Sequence, residues 1–155
     1  MEEIVSFVGG LDGVLTQRAR SGDGSPEIAW GDTFFYYAPD GVVPQASQPF
    51  ATIVSKNYPG DDSSRLDRPG VFRVNIAAGK EEFIAHTGRT PRDIDADVDA
   101  GAPAPDALDA VIPHPVYGPL GWLAVNNPGP ATGEEVIRLL QQAYRLARAR
   151  YLRRN

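Results

Sequence analysis

The stretch VIPHPVYGPLGWLAVNN, residues 111–127, decides how this chain is read. Pro113, Pro115 and Pro119 hold its first half extended or turning, because a proline ring fixes φ and restricts the residue before it. Its second half, from Gly121 to Asn126, is the short apolar run of a buried strand, closed by Asn127-Pro-Gly. Next comes Thr132-Gly-Glu-Glu135, read as a capping box with Thr132 as N-cap and Glu135 three residues on. The helix that follows is predicted to run to about Arg153. Val136, Leu140, Ala143, Ala147 and Tyr151 line one face of it, with Leu139, Tyr144 and Leu146 flanking. A constrained loop, a tryptophan strand and a long amphipathic helix thus follow one another, with Trp122 expected in the core against the helix.

Working outward, residues 2 to about 15 read as a helix with Ile4, Phe7, Val8 and Leu11 on its apolar face, weakened by Gly9 and Gly10. Ser21 to Pro26 is a turn; it lacks the lysine and third glycine of a phosphate-binding loop. Three strands are predicted: Phe34–Tyr37, Phe50–Lys56 and Val71–Ile76. In the first, Phe34 and Tyr36 share one face, and Phe35 and Tyr37 the other. In the third, Phe72, Val74 and Ile76 share one face, whereas Arg73 and Asn75 point to the other. Asp61 to Pro69 is a charged loop or a single helical turn. Residues 80–86 form a short helix that Gly88 can end. The run Asp93 to Asp99 spaces acids as a calcium loop does, but Val98 and Ala104 occupy its glycine and glutamate positions. This segment therefore reads as a solvated connection, with a short helix near Pro105 to Ala110. The order α, β, β, β, short α, β, long α gives an α+β fold: two layers, an antiparallel sheet with helices packed on one face.

Composition narrows the function classes. At 155 residues the chain reads as a single domain, residues 1–155, with 42% hydrophobic and 23% charged residues. It has no cysteine, so disulfides, thiolate metal sites and a cysteine nucleophile are excluded. The acidic start Met1-Glu2-Glu3 and the short apolar runs predict no signal peptide and no membrane span, hence a cytoplasmic protein. A net charge of −5 disfavours nucleic acid as a partner. The only basic concentration, Arg145, Arg148, Arg150, Arg153 and Arg154, reads as a solvated helix face with cations near the C-terminal dipole end.

The residues with chemical potential are Trp30, Tyr37, Lys56, Arg73, Asn75, His114, Tyr117 and Asn126. Arg73, Asn75, Lys56 and Asn126 alternate away from apolar neighbours; on adjacent strands they would form a polar patch able to hold an anion. Trp30, Tyr37 and Tyr117 are aromatic residues at or near turns, as in ligand clefts. His114, fixed between two prolines, has the chemistry of a base, a ligand or a proton switch. No metal centre and no cofactor are expected: HxH and HExxH spacings are missing, and so is a nucleophile elbow. Asp61 and Asp62 are adjacent and do not make a glycosidase pair. No catalytic set is assigned.

The predicted strands, the strand GWLAVNN and the helix EEVIRLLQQAYRLA together resemble the MmcQ/YjbR-like superfamily. Its small two-layer domain ends with a tryptophan strand and a helix carrying a late aromatic residue; Trp122 and Tyr144 stand at those positions. The motifs PEIAWGDTFFYY, RPGVFRVN and PHPVYGPLGWLAV are similar to an actinobacterial family of uncharacterised proteins. The resemblance runs from Trp30 onward, without a counterpart for residues 90–105. It implies the two-layer fold, and members carry a DNA-binding label that the acidic balance of this chain does not match. The residues themselves favour a non-enzymatic module that binds a small polar or anionic ligand or a peptide, on an open sheet face with the loops around Trp30 and His114. The alternatives are nucleic-acid binding through the C-terminal arginines, and an enzyme or accessory protein of a biosynthetic pathway that uses His114 as base.

Overall fold

The computed structural model describes residues 1–94 and 102–154. The acidic run proposed to resemble a calcium loop lies largely outside the described residues. Six strands form one antiparallel sheet in the order β1-β2-β3-β4-β6-β5. They are β1 (Val14–Arg18), β2 (Thr33–Tyr37), β3 (Ala51–Val54), β4 (Arg73–Ile76), β5 (Val111–Pro113) and β6 (Leu123–Asn126). Helices α1 (Glu2–Gly9), α2 (Lys80–Thr87) and α3 (Gly133–Arg154) supply apolar residues to one face of it. The two-layer α+β expectation holds. Among the described residues no helix is long and apolar enough to cross a membrane.

Register and alternation sort the side chains. Phe35 faces Ala51, Ile53 faces Val74, and Val74 faces Val125, so these residues share the helix-facing side. They join Val8 of α1, Phe83 of α2, and Val136, Leu139, Leu140 and Ala143 of α3 in a single buried cluster. Arg73, Asn75, Thr52, Ala124 and Asn126 fall on the other side by the same alternation.

Four expectations change. The first helix stops at Gly9, and Val14–Arg18 is a strand paired with β2. Gly13 makes that reversal at φ 79°, and a Cβ there would lie 2.6 Å from the Tyr37 ring, so the turn needs a glycine. Val111–Pro113, read as loop, is a short edge strand paired with β6; an edge position tolerates Pro113 because a proline there removes no interior ladder bond. Residues 105–110 are not helical: Leu108 bridges Asn126, and Asp109 takes a left-handed φ of 52°.

The fourth change concerns Thr132. Its hydroxyl does not cap the helix through Glu135; it donates to the Asp109 carboxylate, as do the backbone N–H groups of Gly129, Ala131 and Thr132. A carboxylate is a stronger acceptor than a hydroxyl and suits the positive end of the helix dipole. The Thr132 hydroxyl, followed by those amides, lowers the Asp109 pKa to about 2. The short helix is as expected: α2 ends at Gly88, which adopts φ 73° and donates its N–H to the Ile84 carbonyl.

Candidate functional site

The polar face of the sheet is closed. The segments carrying Asp61, Ser64 and His114 cover it, leaving Arg73 1% exposed and Asn75 3% exposed. The Arg73 guanidinium donates from Nη1 and Nη2 to the two oxygens of Asp61 at 2.9 and 2.6 Å, a bidentate pair. Nη1 also donates to Ser64 Oγ at 3.1 Å, and Nε to Asn75 Oδ1 at 2.7 Å. Asn75 passes the chain on, donating to Thr52 Oγ1 at 2.9 Å. Burial pushes the Asp61 carboxyl pKa up, but the hydrogen bonds and charge of Arg73 outweigh it and hold the group below its usual range. The sequence reading of an open anion patch is therefore corrected: Arg73 and Asn75 are consumed by internal partners, because a buried charge is stable only when paired and hydrogen-bonded.

His114 meets this network, with Nε2 3.3 Å from Arg73 Nη2. Its Nδ1 lies 3.0 Å from the N–H groups of both Val116 and Tyr117 and accepts from them. The ring proton of the neutral form must then sit on Nε2, facing Arg73 donor to donor. Burial and the Arg73 charge depress the His114 pKa to about 3, against an opposing pull from Asp61. With the Nδ1 lone pair occupied and Nε2 protonated, the imidazole has no free basic nitrogen for a general base. Tyr117 packs over the ring at 4.9 Å between centroids, and Trp122 lies 6.3 Å from each. Trp122 is half-buried and stands outside the helix-facing core, contrary to expectation.

The other sequence candidates divide between separate places. Lys56 does not reach Arg73: its Nζ donates to the Trp30 carbonyl at 2.6 Å and pairs with Asp32 at 3.2 Å. Asp32 is fully buried and also accepts from the Tyr58 hydroxyl and from the Ser55 N–H. Burial, followed by the Asp32 contact, raises the Tyr58 pKa well above its usual value. The Trp30 indole donates to the Ser25 carbonyl at 3.3 Å. Asn126, directly across from Arg73, donates to the carbonyls of Pro105 and Ala107 at 2.9 Å each. Its Oδ1 is buried without a partner among the described residues.

Tyr37 lies on the helix side and borders a cleft of ≈ 860 Å³. Residues of the segment 38–49 and of the last turns of α3 line it, together with Leu120 and Trp122. Tyr37 packs edge-on against Tyr151 at 5.2 Å and Tyr144 at 5.8 Å. Arg150 and Arg154, one helical turn apart, both line this space. Arg154 Nη1 donates to Ser47 Oγ at 2.8 Å. Arg150 has neither a hydrogen bond nor an ion pair among the described residues; burial, then the charges of Arg153 and Arg154, lower its pKa. The acid on the lining, Asp40, has Oδ1 accepting from the Val42 N–H at 3.1 Å.

Sequence reasoning missed Asp61, Ser64 and Asp32 as partners, and Arg150 and Arg154 as cleft residues. Asp61, Ser64 and Asp32 carry no local signal, since their partners are 9 to 26 residues away. The arginines do: an i, i+4 like-charge pair on the stripe of Ala147 and Tyr151 is unfavourable in a helix that nothing else requires to hold it. Among the described residues no group of three or more His, Asp and Glu is placed to hold a metal ion.

Fold and site together define a two-layer α+β protein with a sealed ionic network on one face of its sheet and an arginine-bearing cleft on the other side. The whole chain, residues 1–155, matches the sequence model described as "Family of unknown function (DUF6194)", and the protein belongs to that family. Comparison with the curated proteins and with the solved structures returns no match.

Proposed function

We propose that this protein is a non-enzymatic module that binds a small polar or anionic ligand in the cleft between residues 38–49 and the end of α3. The supporting observation is the pair Arg150 and Arg154, which share the cleft with three aromatic residues and pair with no carboxylate among the described residues. Concave sites with aromatic walls and a few convergent polar groups are the usual form of small-ligand sites, and ≈ 860 Å³ is within their range. The order of elements from Phe34 onward, with Trp122 and Tyr144 placed as described, supports an MmcQ/YjbR-like reading of the fold.

The test is ligand-observed NMR with a fragment library on the wild type and on Ala46→Trp. Ala46 is an exposed cleft residue, so the larger ring fills the space without entering the core. Fragments that bind the wild type and fail to bind the variant are expected. An identical set of hits on both proteins, or none on either, would remove the cleft as the site.

A second reading is nucleic-acid binding by α3. It draws on Arg145, Arg148, Arg150, Arg153 and Arg154, none of which pairs with a carboxylate among the described residues. Binding would then fall steeply with added salt. A mobility shift at low ionic strength tests it, and no retardation there rejects it.

A further inference from the structure

The cleft lining mixes two unlike kinds of side chain, and the mixture points to a ligand class. Arg150 and Arg154 line it with nine of their ten guanidinium N–H groups free of any hydrogen bond among the described residues. Two guanidiniums one turn apart on the cleft lining repel each other, an arrangement that an anion between them would relieve. The same lining carries apolar surface: Leu120 is 75% exposed, Val42 is 64% exposed and Trp122 is half-buried. Residues of that kind on the surface of a cleft invite burial by an apolar partner.

Resting on the cleft reading above, we infer that the ligand is an organic anion with an acidic head held by Arg150 and Arg154 and an apolar, preferably aromatic, body laid on Trp122, Leu120 and Val42. A bare inorganic anion would satisfy only the arginines, and a neutral hydrocarbon only the apolar residues. Tyr37 and Tyr151 line the same cleft and supply flat surface for a ring.

Three probes separate head from body: 8-anilinonaphthalene-1-sulfonate, the neutral N-phenyl-1-naphthylamine, and inorganic phosphate. Binding is read by energy transfer in the Trp30→Phe variant, where Trp122 is the remaining tryptophan donor and reports proximity to the cleft. The sulfonate is expected to bind at least tenfold more tightly than the neutral amine, and millimolar phosphate is expected not to displace it. Arg150→Gln with Arg154→Gln should bring sulfonate affinity down to that of the amine, about tenfold for each charge-assisted hydrogen bond removed. Equal affinity of the two dyes, or a sulfonate affinity unmoved in the double variant, overturns the anionic head while leaving the cleft reading in place. Displacement by phosphate at its own low concentration overturns the apolar body. No energy transfer from Trp122 to either dye overturns this inference; loss of the cleft reading itself requires the failure of the fragment comparison as well.

Discussion

Arg73, on the loop-covered face of the sheet, directs its guanidinium to Asp61, Ser64 and Asn75. Arg150, on the helix side, makes no hydrogen bond or ion pair among the described residues. One charge is sealed and neutralised; the other is kept available. A buried ion pair stabilises little compared with well-packed apolar residues, but removing one partner leaves the other charge stranded. An unpaired surface arginine contributes almost nothing to stability. The contrast separates a part of the molecule that maintains shape from a part whose charge has no structural use.

The strongest way to break this contrast is truncation. Arg73→Ala should destabilise the protein by about 3–5 kcal/mol in urea denaturation, because Asp61 would remain buried without its partner. Arg150→Ala should stay within about 0.5 kcal/mol of wild type in the same experiment. Comparable destabilisation by the two would show that the cleft arginine is structural.

The next effect comes from His114, whose pKa is depressed to about 3 by burial and the Arg73 charge. The unfolded chain takes up the imidazole proton near pH 6.5 while the native state refuses it until about pH 3, so the stability is present above that window and is lost as pH falls through it. Between pH 7 and pH 5 the wild type should lose about 2 kcal/mol on this account. His114→Phe should show a shallower pH slope in paired denaturation curves, whatever its absolute stability. An unchanged slope would mean that His114 takes up its proton alike in the folded and unfolded chains.

A smaller change is expected from Asp109→Asn. The folded carboxyl titrates at about 2, below its unfolded value, so its contribution is present above about pH 4 and disappears as pH falls toward 2. The variant should lose that acid dependence, visible by circular dichroism as earlier loss of helix in the wild type relative to its own neutral-pH signal. The smallest effect is Ser47→Ala, which removes the hydrogen bond from Arg154. Global stability should stay within about 0.5 kcal/mol, while amides of residues 38–49 exchange faster; unchanged exchange there would show that this hydrogen bond does not hold the cleft wall.

Much of the architecture was legible because it rests on local period. The alternation of Phe72 to Ile76 placed Arg73 and Asn75 on the polar face, and the spacing of Val136, Leu140 and Ala143 set the buried stripe of α3. What period does not encode is the partner at a distance. Nothing around Thr132 announces that Asp109, 23 residues earlier, takes over the helix terminus. The same holds for Arg73 and Asp61: alternation shows that a charge faces away from the core, not whether a loop returns to cover it. The strand Val14–Arg18 was hidden because Leu11 and Val14 also continue a helical spacing, and only the glycines at 9, 10 and 13 argue for the break. Of the candidate site residues, Arg73, Asn75, His114 and Tyr117 are brought together, whereas Lys56 and Trp30 form a neighbouring cluster and Tyr37 belongs to the cleft.

Helix α3 is 22 residues long, and its fully buried positions end at Ala143. Its remaining turns, which carry Arg150 and Arg154, are held by edge contacts such as the Tyr37–Tyr151 pair and by their own intrahelical bonds. Helix ends supported in this way fray, and their amides exchange through local opening without global unfolding. On the reading proposed above, amide protection along residues 144–154 would serve as a gauge of occupancy. A ligand seated between the arginines would add its binding energy to the helical state of the last turns, and the protection gained there should follow its concentration while that of Val136 to Ala143 stays fixed.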